Sequence, residues 1–164
     1  RPDVPLRGMV MEQYFDEKKA FTIVGYGMDV PYERCYEEIP AFWDTFNKRR
    51  NPLALKGMFG LCQMGETGMH YVIGDVYLPW MKLEADMEAV EIPGGRWAVF
   101  PAHGALPDAL QKVNTKVWQE WVPAHNGDHP IIPGYSLEMY TEPVEDMSKY
   151  YSEIWVPLAE KPEK

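Results

Sequence analysis

Strand-like and helix-like hydrophobic patterns follow one another in the same order in each half of the chain. The first half opens with an apolar run of β-branched and aromatic residues, 21–26, which predicts a strand. Apolar residues then recur every three or four positions, as on one face of an amphipathic helix: Ile39, Phe42, Trp43 and Phe46. Two more strand-like runs, 58–63 and 69–74, flank a turn that contains two glycines.

The second half repeats this order. A turn at 93–95 leads into a strand-like run, 96–100, and the runs 136–141 and 153–158 predict the last two strands. Between them lies a second helical stripe: Leu106, Leu110, Val113, Val117 and Trp121. The acidic segment 81–91 predicts a solvent-exposed connector between the halves.

Prolines stand where both predicted helices should begin and end. Pro40 and Pro107 fit first helical turns, where a missing N–H breaks no hydrogen bond. Asn51-Pro52 and Pro123 fit the helix ends, because proline cannot continue a helix. Both stripes are therefore bounded as helices should be.

The order of elements predicts an α+β fold with antiparallel strands. Segment 9–15 is expected to add one more strand to the sheet. We predict a single domain, 1–164, of two strand–helix–strand–strand halves, about 9–80 and 92–160. Residue identity between the halves is low, so the predicted repeat rests on the order of elements.

Composition and charge narrow the classes of protein to which the chain can belong. Apolar residues make up 46% of the 164 residues and charged residues 25%, which is ordinary for a globular protein. No apolar run approaches the roughly 20 residues that a membrane helix needs. The net charge of −9 argues against direct nucleic-acid binding by this segment, because phosphate binding needs a basic surface. Cys35 and Cys62 have no metal or disulfide spacing and predict reduced thiols in a cytoplasmic protein.

The strand 135–140 carries a carboxylate in a chain rich in aromatic residues. Side chains alternate along a strand, so Glu138 and Tyr140 share the face opposite Leu137. If Leu137 faces the core, Glu138 points into whatever the other face lines. A carboxylate among aromatic rings favours cationic or amphipathic organic molecules. The alternative is an exposed glutamate on a half-solvated strand.

Other motifs do not support metal or cofactor chemistry. His125 and His129 lie in a loop without a third well-placed ligand, so we predict no metal site. Gly25-Tyr-Gly27 lacks the third glycine of a dinucleotide loop. The sequence has no Gly-x-Ser-x-Gly elbow and no phosphate-binding loop. We predict no cofactor.

Several stretches, taken in order, resemble the GyrI-like family over about nine tenths of the chain. The stretches are Phe21-Thr-Ile-Val-Gly25, Ile39-Pro-Ala-Phe-Trp43, Glu91-Ile-Pro-Gly-Gly-Arg-Trp-Ala-Val-Phe-Pro-Ala-His-Gly104, Val117-Trp-Gln-Glu-Trp-Val-Pro123, Leu137-Glu-Met-Tyr140 and Glu153-Ile-Trp-Val-Pro157. GyrI-like domains bind small molecules, occur alone or attached to AraC- and MerR-type transcription regulators, and take part in multidrug recognition. The order and spacing of the stretches carry the resemblance.

The resemblance implies two pseudo-symmetric βαββ (SH2-like) units whose antiparallel sheets enclose a central aromatic groove. In such regulators a glutamate of the penultimate strand lies in the groove and meets cationic drugs. It matches Glu138, and the tyrosine two residues later matches Tyr140. Some members instead hydrolyse reactive electrophiles in the same groove. This sequence departs from the regulators in having no DNA-binding helices within its 164 residues, which leaves a role in transcription open. If the chain is part of a regulator, a covalently linked DNA-binding domain before Arg1 is the expected partner.

The predicted ligand-binding residues are aromatic side chains around one carboxylate. They are Glu138, Tyr140, Trp118, Trp121, Trp155, Trp43, Phe59 and Tyr71. Trp121 lies in the helical stripe, where core packing is equally compatible, and Trp118 lies one step off it. For Trp43 core packing is favoured, and Phe59 and Tyr71 are the weaker candidates.

Two functions fit a carboxylate in an aromatic groove. The first is binding of an amphipathic, aromatic or cationic small molecule, as the sensing domain of a transcription regulator. The second is hydrolysis of an electrophile, with Glu138 as the general base on water. A third hypothesis, inhibition of another protein, needs an exposed apolar surface outside the groove. A sensor returns its ligand unchanged, which separates the first two.

Overall fold

The computed structural model describes residues 11–49 and 55–160, and these form eight strands and two helices. The strands are Tyr14–Lys18 (β1), Phe21–Pro31 (β2), Phe59–Met64 (β3), Gly68–Val76 (β4), Glu88–Ile92 (β5), Gly95–His103 (β6), Tyr135–Tyr140 (β7) and Tyr151–Pro157 (β8). The predicted helix end at Asn51-Pro52 and the first residues of the strand predicted at 9–15 lie outside the described residues. The predicted α+β class and antiparallel pairing are confirmed.

All eight strands belong to one antiparallel sheet, in the order β1-β6-β8-β7-β3-β4-β2-β5. Its centre is the pairing of β3 with β7, in which Leu61 lies opposite Leu137. The strands on either side of this pair follow a matching order, β7-β8-β6 and β3-β4-β2. The two βαββ units are thus related by a pseudo-two-fold at the middle of the sheet.

The strands that precede each unit are exchanged between the units. β1 pairs with β6 of the second unit, and β5 pairs with β2 of the first. The prediction of a solvent-exposed connector over 81–91 is therefore wrong for its last part, which is strand β5. Val90 and Ile92 of this strand pack on the sheet core, while Glu91 stays exposed.

The first helix, Cys35–Arg49, follows a 3₁₀ turn, Tyr32–Arg34. Its apolar stripe packs on the sheet as predicted, with Phe46 2% exposed. The prediction that Pro40 lies in the first turn is wrong, because the helix begins at Cys35 and Pro40 is inside it. Pro40 leaves the carbonyl of exposed Tyr36 without its helical donor.

The second helix consists of an α-helical part, Asp108–Lys116, a π-helical turn, Val117–Trp121, and a last α-helical turn, Val122–Ala124. Its stripe packs on the other half of the same sheet face, over β6 and β8. A π-helical turn is rare and is often found at functional sites. Here it contains two tryptophans, Trp118 and Trp121.

The sheet curls away from the helices, so its opposite face is concave. Phe21 of β2 and Trp97 of β6 lie with ring centroids 6.3 Å apart, although β8, β7, β3 and β4 separate their strands. Residues of this concave face that are almost completely buried include Ile23, Leu61 and Leu137. The helices therefore cover the two sides of the convex face, the first over β2 and β4 and the second over β6 and β8, and β3 and β7 lie between them.

His70 on β4 links two carboxylates on neighbouring strands. Its Nδ1 and Nε2 lie 2.7 Å from Asp29 and 2.7 Å from Glu88. Partial burial opposes protonation, but the hydrogen bonds to Asp29 and Glu88 outweigh it and raise the pKa of His70 above 6.5. The bridge therefore contributes stability fully below about pH 6.5.

We expect this contribution to disappear as the pH rises through the raised pKa of His70. The free energy of unfolding of the native chain should exceed that of His70→Gln at pH 6. The difference should shrink as the pH rises through the raised pKa, because the imidazole then loses its proton in the folded state as well. Urea unfolding of both chains from pH 5.5 to 8.5 measures it. A constant difference across this range would contradict the prediction.

Candidate functional site

Glu138 lies at the middle of the sheet, on the face that carries both helices. Register places it opposite Gly60 of β3 and Ile154 of β8. Leu137 beside it is fully buried on the concave face, while the side chain of Glu138 is partly buried. The alternation predicted for this strand is confirmed, so Glu138 lies on the face opposite Leu137, between the strands that the two helices cover.

Two tyrosine hydroxyls donate to one oxygen of Glu138. Tyr71 of β4 donates to Oε1 at 2.5 Å, and Tyr140 donates to the same atom at 2.9 Å. Within the described part of the chain Oε2 accepts no hydrogen bond and forms no ion pair.

Trp43 of the first helix completes the arrangement. Its Nε1–H donates to Tyr71 Oη at 2.8 Å. Its ring meets that of Tyr140 edge-on, with centroids 4.9 Å apart. We call Trp43, Tyr71, Glu138 and Tyr140 the Glu138 cluster. Three strands or helices far apart in sequence supply it, so it forms only in the folded chain.

Burial and hydrogen bonding act in opposite directions on the Glu138 cluster. Burial raises the pKa of Glu138, and the hydrogen bonds from Tyr71 and Tyr140 lower it, with a net rise above 4.5. Burial and the negative charge of Glu138 raise the pKa of Tyr71 and of Tyr140 well above 10. Both phenols therefore keep their protons at neutral pH and act as donors.

Gly60 provides the space that the cluster occupies. A methyl group at this position would overlap Tyr71 Oη and lie 2.5 Å from Glu138 Oε1. Gly60 is not among the residues that the sequence predicts for this site. The available signal was a glycine inside a strand, which often marks the close approach of another group.

The tryptophans of the second helix take two different places. Trp118 packs against the same core cluster as Tyr140, and its Nε1–H donates to Asn114 Oδ1 at 3.0 Å. Trp121 is 7% exposed and packs against Phe100 of β6 at 5.0 Å. Trp121 thus belongs to the buried core over β6, whereas Trp118 is partly buried at the edge of that core.

Phe59 and Trp155 lie on the concave face, opposite Glu138. Their rings contact each other at 5.2 Å, and Trp155 also contacts Trp97 at 6.0 Å. The reason is register, because Trp155 lies opposite Leu137 in the sheet. The expectation that Trp155 stands within reach of Glu138 is wrong. Any ligand contact of these two residues belongs to a surface other than the groove.

The concave face holds a second carboxylate, Glu153, with its own donors. Trp155 Nε1 donates to Oε1 at 2.6 Å, and Tyr14 and Tyr151 donate to Oε2. Burial and the charge of Glu153 raise the pKa of Tyr14 to about 12. Glu153 is 5% exposed and uses both oxygens internally, unlike Glu138. In Glu138, by contrast, both described donors use Oε1, and Oε2 accepts from no described residue.

The described residues hold no group of three or more His, Cys, Asp or Glu side chains suited to a metal ion. His125 instead stacks on Trp121 with ring centroids 4.4 Å apart and contacts Asp128 at 3.1 Å.

None of the described helices has the length and apolarity needed to cross a membrane. Cys35 and Cys62 are free thiols.

Comparison with known proteins gives one family match. The sequence model of the integron-associated effector binding proteins matches residues 15–158. No curated protein sequence matches the chain.

The solved structures that share the fold include two ligand- or regulator-associated proteins and an integron cassette protein. SAV2435 bound to tetraphenylphosphonium has a TM-score of 0.73 and 21% identity, and the match covers 91% of this chain and 94% of that one. An integron cassette protein of Vibrio cholerae has a TM-score of 0.66 and 18% identity, over 90% and 95%. The C-terminal domain of EcmrR has a TM-score of 0.60 and 16% identity, over 93% and 99%.

Proposed function

Because the chain belongs to the family of integron-associated effector binding proteins, we propose that it binds an amphipathic organic cation in the groove between its helices. Glu138 supplies the negative charge, and the rings of Trp43 and Tyr140 supply aromatic surface. Trp118 forms a further part of the wall on the side of the second helix. The observation that carries the proposal is Glu138 Oε2, which accepts no hydrogen bond from any described residue.

The chemistry of the Glu138 cluster favours a cation with apolar substituents. An ionised carboxylate in a partly buried place attracts positive charge more strongly than one in water does. Aromatic faces add roughly 0.5–2 kcal/mol for each cation–π contact. Since Tyr71 and Tyr140 already satisfy Oε1, the ligand needs only one charged centre beside Oε2. The tetraphenylphosphonium in SAV2435, which shares this fold, is a cation of this class.

We further propose that the chain serves as the sensing part of a transcription regulator, with a linked DNA-binding domain as its partner. The fold shared with the C-terminal domain of EcmrR supports this proposal. The net charge of −9 assigns DNA contact to the partner domain rather than to this segment. Ligand binding would then act on the first helix through Trp43, which donates to Tyr71 beside Glu138.

Tetraphenylphosphonium is expected to quench tryptophan fluorescence and raise the melting temperature. Trp43 belongs to the cluster, so a ligand beside Glu138 changes its surroundings. Binding only to the folded chain stabilises it by about 2.7 kcal/mol at a ligand concentration of 100 Kd. Titration by fluorescence and by thermal unfolding measures both effects.

Trp43→Phe should lose most of the ligand-induced change in fluorescence. The control Trp80→Phe should keep that change, because Trp80 is 68% exposed on the β4–β5 connection. Neutral triphenylphosphine oxide is the matched ligand without charge and should bind more weakly. If a broad panel of organic cations changes neither fluorescence nor melting temperature, the proposed function is wrong. Recovery of the ligand chemically unchanged distinguishes binding from hydrolysis.

A further inference from the structure

A chain of hydrogen bonds with one direction runs from the first helix into the sheet. The indole N–H of Trp43 can only donate, so Tyr71 Oη accepts it, at 2.8 Å. The Tyr71 hydroxyl donates its single proton to Glu138 Oε1 at 2.5 Å. We propose that Trp43 is a positioning residue that holds Tyr71 as a donor and thereby keeps Glu138 ionised. The inference rests on the proposed function, because an organic cation requires the ionised carboxylate.

The direction matters because Tyr71 is fully buried. A protonated Glu138 would carry its proton on Oε2, because Tyr71 and Tyr140 both donate to Oε1. Oε1 would then accept as a neutral carbonyl oxygen, which binds a donor more weakly than a carboxylate oxygen does, so the bond from Tyr71 favours the ionised form. The bond from Trp43 adds to this, since donation to the phenol oxygen strengthens the bond that the phenol donates onward.

Among the described residues, no cationic side chain pairs with Glu138 to stabilise its negative charge. The ion pairs of the described residues do not include Glu138. The titratable groups that face it are Tyr71 of β4, Tyr140 of β7 and Cys62 of β3. Burial raises the pKa of each of the three well above its ordinary value. β8 contributes Ile154 and the first helix contributes Trp43, and neither side chain titrates.

The experiment measures the protonation of Glu138 in the ligand-free protein. The carboxyl carbon of Glu138, labelled with ¹³C, is followed by NMR from pH 4 to 9 in the native chain and in variants. Tyr71→Phe removes the direct donor and should raise the midpoint by about one to two pH units. Trp43→Phe removes the N–H that acts through Tyr71 and should raise it by about half a unit.

Three controls separate positioning from loss of packing. Trp155→Phe removes an indole N–H that donates to Glu153 on the concave face and should leave the midpoint unchanged. Benzothienylalanine at position 43 keeps the ring size but replaces N–H by sulfur, so it should shift the midpoint as Trp43→Phe does. The double variant of Trp43→Phe and Tyr71→Phe should match Tyr71→Phe alone, because Trp43 acts only through Tyr71.

The inference is wrong if neither replacement of Trp43 moves the midpoint while Tyr71→Phe does. It is also wrong if the effects of Trp43→Phe and Tyr71→Phe add in the double variant. These results require no ligand, so they are independent of the test of the proposed function. If the midpoints shift as expected but no cation binds, the relay stands and the proposed function fails.

Discussion

Glu138→Gln is expected to weaken the binding of tetraphenylphosphonium by roughly 1–3 kcal/mol, or about 5- to 150-fold. Glutamine keeps the size of the side chain and its carbonyl can still accept from Tyr71 and Tyr140, but it carries no charge. The cation then loses its partner at Oε2 and keeps only aromatic contacts. Isothermal titration of both chains at pH 7.5 measures the difference.

The neutral ligand provides the matched comparison. Triphenylphosphine oxide should lose much less affinity on Glu138→Gln, because ring contacts survive the substitution. Glu153→Gln is the control at the second buried carboxylate, and it should leave affinity for the cation close to that of the native chain, because Glu153 lies on the concave face. Equal losses for charged and neutral ligands would show that Glu138 shapes the groove without supplying charge. If a substrate is turned over, Glu138→Gln should retain binding and abolish turnover.

Asp75→Ala is expected to lower the free energy of unfolding by about 3 kcal/mol. The carboxylate of Asp75 in β4 is 8% exposed and accepts from three successive backbone amides that lead into β3. Its contacts with Lys56, Gly57 and Met58 measure 2.6, 2.9 and 2.9 Å. Alanine leaves these amides without an acceptor, and buried unpaired amides are costly. Urea unfolding followed by circular dichroism measures the loss.

Two comparisons define the origin of this loss. Asp75→Asn retains one acceptor oxygen and should cost about half as much. Asp86→Ala removes an exposed carboxylate that pairs with Arg49 at 3.0 Å, and should cost less than about 1 kcal/mol. A loss for Asp75→Ala as small as that for Asp86→Ala would mean that water replaces the carboxylate at all three amides.

The hydrophobic pattern was sufficient to predict the order of elements and the face of each side chain within its own strand. Alternation placed Leu137 in the core and Glu138 on the opposite face, and both placements are observed. Helical spacing likewise identified the buried side of the first helix, which Phe46 anchors. These features depend on residues close in sequence, so local periodicity determines them.

Local signals misplaced features that depend on distant pairing. Segment 88–92 is acidic, yet it forms an edge strand because β2 offers it a partner. Pro40 fitted a helix start, but the helix begins earlier because the preceding turn, Tyr32–Arg34, leads directly into it. In both cases the strand or helix extends beyond the part that its own sequence favours, because tertiary contacts stabilise the extension.

The candidate site itself was decided by tertiary structure. The sequence alone identified Glu138 and Tyr140, which share one strand. It did not show which of the other predicted aromatic residues contact them. Tyr71 reaches Glu138 because register sets Tyr71 opposite Cys62 and Gly60 opposite Glu138. The same register turns Trp155 to the concave face. A shift by one residue would move every side chain of a strand to the other face. Strand pairing therefore decides which aromatic rings surround the carboxylate. Residue types and their spacing along the chain do not specify that pairing.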